Sequence, residues 1–196
     1  VEHAHFIASG YGGLVVLPLA AARPGAVKAL TLVDAAPVID ATGLARLQYR
    51  LRREPVYDSR SHAIERLSAY DQKQFPRTEA EEFGYMVDAA YAPKTENGRT
   101  RWGPDLRPDY LKRLADLDLS ESLTPRWDLF AGFGRTNIMI VQPENSTMVS
   151  AQSYADMLSK RRAVPASTRH LSLANQGSTP VLNGKLARAV LEFHHT

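Results

Sequence analysis

Two hydrophobic periods take turns along this chain. Residues 3–9 (HAHFIAS) form a short apolar run ending at Ser9-Gly10, and from Tyr11 to about Arg23 the apolar spacing becomes helical until Arg23-Pro24-Gly25 stops it. Residues 27–34 (VKALTLVD) are rich in leucine and β-branched side chains and predict a second buried strand, after which AAPVIDATG leaves the sheet. From residue 40 to about 126 the texture changes. Apolar positions recur at helical spacing in GLARLQYRL, AIERLSAY, EEFGYMVDAAY and YLKRLADLDL, while Pro55, Pro76, Pro93, NGR and WGPDLRP break the segment. That predicts an inserted set of short helices with a turn-rich tip at Asn97-Gly98. Strand–helix alternation then resumes: a strand at 136–143, an amphipathic helix at 150–162, a strand at 167–175 and a closing helix at 180–195. Strands separated by helices predict an α/β fold with a parallel sheet and helices on its faces.

Composition narrows the chemistry. The 196 residues are 44% hydrophobic and 23% charged, the profile of one globular domain with room for an insertion. The formal net charge is only +3, with Lys and Arg interleaved among Asp and Glu, and no basic-aromatic stripe marks a nucleic-acid surface. Without cysteine, thiol catalysis, disulfides and cysteine metal sites are excluded. The longest apolar run, LVVLPLAAA, carries Pro18 and falls short of the ~20 residues that span a bilayer. A cytoplasmic or organelle-matrix location fits equally well.

The order of these segments carries a resemblance. HFIASGYGG as strand and tight turn, AAARPGAVKALTLVDAAP as helix end, strand and exit, TNIMIVQPENSTMVS as strand and turn, and RHLSLANQGSTPVL as last strand and loop resemble the C-terminal two-thirds of a capped α/β-hydrolase-fold protein. The resemblance implies core segments at 1–39 and 127–196, with a helical cap inserted at 40–126 between the second and third strands. It also implies that about four strands and an oxyanion-hole loop precede Val1. The strand at 3–9 would then be an uncovered edge, and a partner chain or an upstream segment is expected over it.

The family sets its nucleophile at the centre of a small-x-nucleophile-x-small turn. Here that frame reads Ala8-Ser9-Gly10-Tyr11-Gly12, which puts Gly10 at the nucleophile position. Moving the frame to Ser9 would put Ile7 and Tyr11 where small residues belong. The resemblance puts the acid at Thr147, in Pro143-Glu144-Asn145-Ser146-Thr147, with Glu144 and Asp156 as nearby carboxylates off that position. The base position falls on Ser178, in Gly177-Ser178-Thr179-Pro180. Acyl transfer needs a nucleophile, a base and a carboxylate that orients it, and these three vestigial positions supply none of them. Pro18, inside the helix that follows the turn, fits a chain that no longer aims a nucleophile.

Other candidates have structural readings beside functional ones. His3 and His5 share a strand face but lack a third ligand in sequence, so no metal site is expected. His170 reads as a satisfied strand histidine, and His194 and His195 read as solvated. Asp34, at the end of the second strand, is expected to be structural, although some family members draw their acid from there. Tyr11, Asp34, Trp102 and Trp127 are the candidate lining of a remnant pocket, and aromatics such as Phe83, Tyr85 and Tyr91 read first as cap core. No cofactor is expected. Three functions fit: an inactive structural or interaction subunit, which leads; a receptor for a small apolar ligand; and an active esterase-like hydrolase completed by an upstream segment.

Overall fold

The computed structural model describes residues 2–23, 25–53, 56–71, 80–105, 112–113, 116, 124–177 and 184–195. The chain divides into two compact units, Val1–Leu44 with Leu119–Thr196, and Ala45–Asp118.

The first unit is built on a four-stranded, wholly parallel sheet. Strand β1 (Ala4–Ser9) leads through helix α1 (Gly12–Ala22) into β2 (Val27–Val33). Every residue of β2 except Lys28 is buried, as a parallel strand covered on both faces requires. The sheet order is β1-β2-β5-β6, where β5 is Asn137–Asn145 and β6 is Thr168–Gly177. Ser9 pairs with Val33, and Val33 with Val141, so β1 and β2 end at the same level, and β5 and β6 run on beyond them.

Alternation along β2 sorts the core into two layers. Leu30 and Leu32, with Ile138 and Ile140 of β5, face α1, the short helix at Trp127–Ala131 and the helix at Ala151–Arg161. Ala29 and Val33, with Met139 and Val141, face Leu186, Ala189, Val190 and Phe193 of the closing helix at Gly184–His195. At about 25 cal/mol per Å2 of apolar surface, layers such as these supply the main driving force for the unit's folding. The helix at 151–161 begins at Ser150, whose Oγ accepts the Ser153 N–H at 3.1 Å, and ends with Lys160 and Arg161, cations suited to a helix C-terminus. Arg161 is buried. Its guanidinium donates to the Phe133 and Thr136 carbonyls, each at 2.7 Å, and to Thr168 Oγ1 at 2.9 Å. Burial lowers its pKa, and no carboxylate is among those bonded acceptors.

The second unit holds α2 (Ala41–Arg53) after its first turn, α3 (Arg60–Asp71), α4 (Ala80–Ala90) and a hairpin of β3 (Tyr91–Glu96) and β4 (Arg99–Pro104). The hairpin corrects the expectation of helices alone. Asn97 and Gly98 both adopt positive φ, 51° and 74°, the geometry of a two-residue hairpin turn, so the expected tip joins antiparallel strands. Tyr57 adds a bridge to Trp102 through two 2.7 Å backbone hydrogen bonds. Tyr57, Ala63 and Val87 make a small core, with Tyr91 and Trp102 packed against it. Phe83 is buried and Tyr85 exposed. Arg60 and Asp88 tie α3 to α4 by two hydrogen bonds of 2.6 and 2.7 Å. Most of the helix expected from YLKRLADLDL lies outside the described residues. The remaining elements, numbered onward, are α5 (Trp127–Ala131), α6 (Ala151–Arg161) and α7 (Gly184–His195).

Candidate functional site

The carboxyl edge of the sheet holds Gly10, Asp34 and Thr147. β1 ends in a tight turn with Gly10 at its apex. Gly10 has φ +50°, its N–H donates to the Val33 carbonyl at 3.0 Å, and its own carbonyl accepts the Gly13 N–H at 3.1 Å. Positive φ at a strand-to-helix turn is a strained position that glycine takes at little cost. A Cβ on Gly10 would meet no atom within 4 Å. The apex therefore has space for a side chain and carries none. A Cβ on Gly12 would also meet nothing, whereas one on Gly13 would sit 2.7 Å from the Ala35 Cβ. Close approach of α1 to the exit of β2 thus falls on Gly13.

Next to this turn, Asp34 ends β2 with φ +49° and no exposed surface. Its N–H donates to the Val141 carbonyl at 3.1 Å. Its Oδ1 accepts the hydroxyl of Ser146 at 2.5 Å and that of Tyr154, on α6, at 3.0 Å. Burial, and then the Asp34 charge, push the Tyr154 phenol far above its ordinary range, so it remains a donor. Ser146 Oγ also accepts the Met148 and Val149 N–H groups at 3.2 and 3.0 Å. Ser146 and Tyr154 are therefore members of the cluster that the sequence reading did not single out. A capping-type serine before an apolar pair was a local signal for the first; nothing local marked the second.

Thr147 is half-buried in the same turn, and the first turn of α2 packs over it. The Asp40 N–H donates to the Met148 carbonyl at 2.8 Å, and Gly43 lies so close that an added Cβ would strike the Thr147 carbonyl. Glu144 is exposed, and Asp156 accepts the Gln152 amide at 2.8 Å. Ser178 lies outside the described residues. Tyr11 and Trp127 pack at the margin of the α1-side core, where Lys160 stands 5.4 Å over the Trp127 ring. Trp102 belongs to the second unit.

All six histidines are among the described residues. His3 lies before β1, with Nδ1 2.9 Å from the Gly25 carbonyl. His5 is four residues, about 13 Å of strand, before Ser9. His170 pairs with Gln142 Oε1 at 3.0 Å, early in β6. His194 corrects the expectation of a solvated terminus: it is half-buried, with Nε2 3.0 Å from Thr31 Oγ1 in mid-β2 and Nδ1 3.0 Å from His5 Nδ1. His195 ends α7 and is exposed, and His62 belongs to the second unit, 3.8 Å from Asp58. The hydrogen bonds described for Asp34, Ser146 and Tyr154 link them to one another and to backbone groups. Among the described residues no group of three or more His, Asp or Glu side chains could hold a metal ion, and no helix is long and apolar enough to cross a membrane.

A parallel sheet in this order, with a left-handed residue at the strand-to-helix turn after β1, is arranged as in the α/β-hydrolase fold, and solved structures agree. The chain superposes on an α/β hydrolase from Novosphingobium aromaticivorans with TM-score 0.79 at 21% identity, covering 100% of this chain and 66% of that one. It superposes on E-2-(acetamidomethylene)succinate hydrolase with TM-score 0.72 at 18% identity, covering 99% and 67%. For 2-hydroxy-6-oxo-6-phenylhexa-2,4-dienoate hydrolase from a Rhodococcus strain the TM-score is 0.59 at 14% identity, with 100% and 65% covered. The chain thus spans about two thirds of the length of these structures. No family profile matches the sequence, and no curated protein is similar to it.

Proposed function

We propose that this chain is an α/β-hydrolase-fold protein without acyl-transfer chemistry of its own, acting as an interaction subunit. Residues 1–39 and 127–196 are its core and 40–126 its cap. The observation that carries the reading is Gly10 at the apex of the turn: the position that presents a nucleophile in this fold has room for a side chain and has none. Three further features support it. Ser146, whose hydroxyl donates to Asp34, is held by three hydrogen bonds, none of them to an imidazole. The Oδ1 of Asp34 accepts two hydroxyl donors, Ser146 and Tyr154. Thr147 at the acid position and Ser178 at the base position can act as neither carboxylate nor base near neutral pH.

The names of the similar solved structures favour a second reading, an active hydrolase. One assay separates the two. Purified protein incubated with p-nitrophenyl acetate and butyrate is expected to give no turnover above buffer, and Gly10→Ser is expected to restore none, because a hydroxyl alone lacks base and acid. Turnover that Ser146→Ala or Asp34→Asn abolishes would overturn the inert reading.

A further inference from the structure

Away from the carboxyl edge, two imidazoles meet in an arrangement that the catalytic reading leaves unused. His5 lies on the edge strand β1 and His194 in the last turn of α7, 189 residues apart in sequence, with their Nδ1 atoms at 3.0 Å and ring centroids at 5.0 Å. Behind His194, Nε2 stands 3.0 Å from the hydroxyl of Thr31, a fully buried residue in β2. We propose that the His5–His194 pair is a proton-sensitive latch that holds the last turn of α7 on strands β1 and β2 and releases it when the pair takes up its second proton.

Two Nδ1 atoms at 3.0 Å form a hydrogen bond only if one carries a hydrogen and the other a lone pair. With both rings neutral, His5 Nδ1–H donates to His194 Nδ1, and the His194 proton sits on Nε2 and donates to Thr31 Oγ1. Reversing the tautomers keeps the first bond and lets the Thr31 hydroxyl donate to Nε2. A first added proton is tolerated in either sense, because a charged ring can still donate to a neutral partner. A second proton places N–H against N–H and charge against charge, and the contact breaks.

The surroundings resist that second proton. Burial, His5 and His195 all lower the pKa of His194. Among the described residues it meets His5 from β1, neutral Thr31 from β2, and His195 and the Phe193 ring from its own helix. The one carboxylate of α7, Glu192, is engaged by Arg169 of β6 at 3.6 Å and does not offset the charge. The sign follows. The folded state holds the second proton less tightly than the unfolded chain, whose histidines titrate near ~6.5. The latch therefore contributes in full above that pH and is lost as pH falls through the lower folded value. Release frees the turn that carries Phe193, which is buried against the β2 face of the sheet.

Hydrogen exchange read by mass spectrometry tests this on the whole chain, after correction for intrinsic exchange rates. Peptides covering 186–195 are expected to lose about tenfold in protection between about pH 7.5 and pH 4.5, while peptides from β2 and β5 keep theirs. His5→Gln, at an exposed strand position, removes one titrating ring while its amide can still meet His194, and protection at the lower pH is expected to return. His194→Asn checks the same prediction from the helix side, and His170→Gln should behave like the parent. Flat protection of 186–195 across this range would overturn the latch. So would an equal loss in His5→Gln, or a loss shared by the whole sheet.

Discussion

At the scale of single residues, the carboxyl edge of the sheet keeps the backbone of a reactive turn and spends its polar groups on one another. Asp34 is the clearest instance. A carboxylate at the end of a central strand could orient a histidine, but its Oδ1 takes the hydroxyls of Ser146 and Tyr154. This is a structural use, and it has a measurable size. Removing the Tyr154 hydroxyl withdraws a donor from a buried charge, which costs about 1–3 kcal/mol, more than a neutral hydrogen bond is worth. Tyr154→Phe is therefore expected to lower the midpoint of urea unfolding with an unchanged m-value, and to leave ester turnover at the background of the parent. A variant as stable as the parent would mean that the phenol contributes nothing to holding Asp34.

At the scale of elements, the start of α1 shows how far the sequence could be read and where it stopped. Its glycines predict a tight strand-to-helix turn, and the turn is there, with Gly10 left-handed. The frame assigns the need for smallness to Gly12, but the packing puts it one residue later, against Ala35. A local pattern gives the turn; the identity of the facing atom comes from β2, a separate segment. Gly13→Ala should accordingly cost about 1–3 kcal/mol by overpacking, and Gly12→Ala should be near neutral. Equal stability of the two variants in chemical denaturation would show that α1 shifts freely over β2.

The same logic explains the rest. β2, β5 and α6 were legible because their periods are local. The β3–β4 hairpin was not, because Pro93 and Gly98 read as helix breakers within a helical region, although Asn97-Gly98 is also a hairpin signature. The bonds from Asp34 to Ser146 and Tyr154 span 112 and 120 residues, and no spacing rule in one sequence reaches that far. His194 looked solvated for the same reason: its partners, Thr31 and His5, lie at the other end of the chain.

At the scale of the whole molecule, the weight falls on β1. Among the described residues it is an edge of its sheet, and its side chains are not those of a protected edge. Ile7 is 59% exposed, where soluble edge strands commonly carry lysine or proline. An edge strand with an exposed aliphatic side chain can add a strand from another chain, gaining hydrogen bonds and burying the isoleucine together. An interaction subunit would use this surface, and a second copy of the same chain is the partner always present in a purified sample. Sedimentation velocity across a concentration series is thus expected to show reversible self-association. Ile7→Lys should weaken it at least about tenfold, since burying an unpaired ammonium at the seam costs more than the lost aliphatic contact. Its unfolding midpoint should hardly move, because the substituted side chain is already in water. A strictly monomeric parent, or an Ile7→Lys variant that associates as strongly, would leave β1 without the role that its exposed edge suggests.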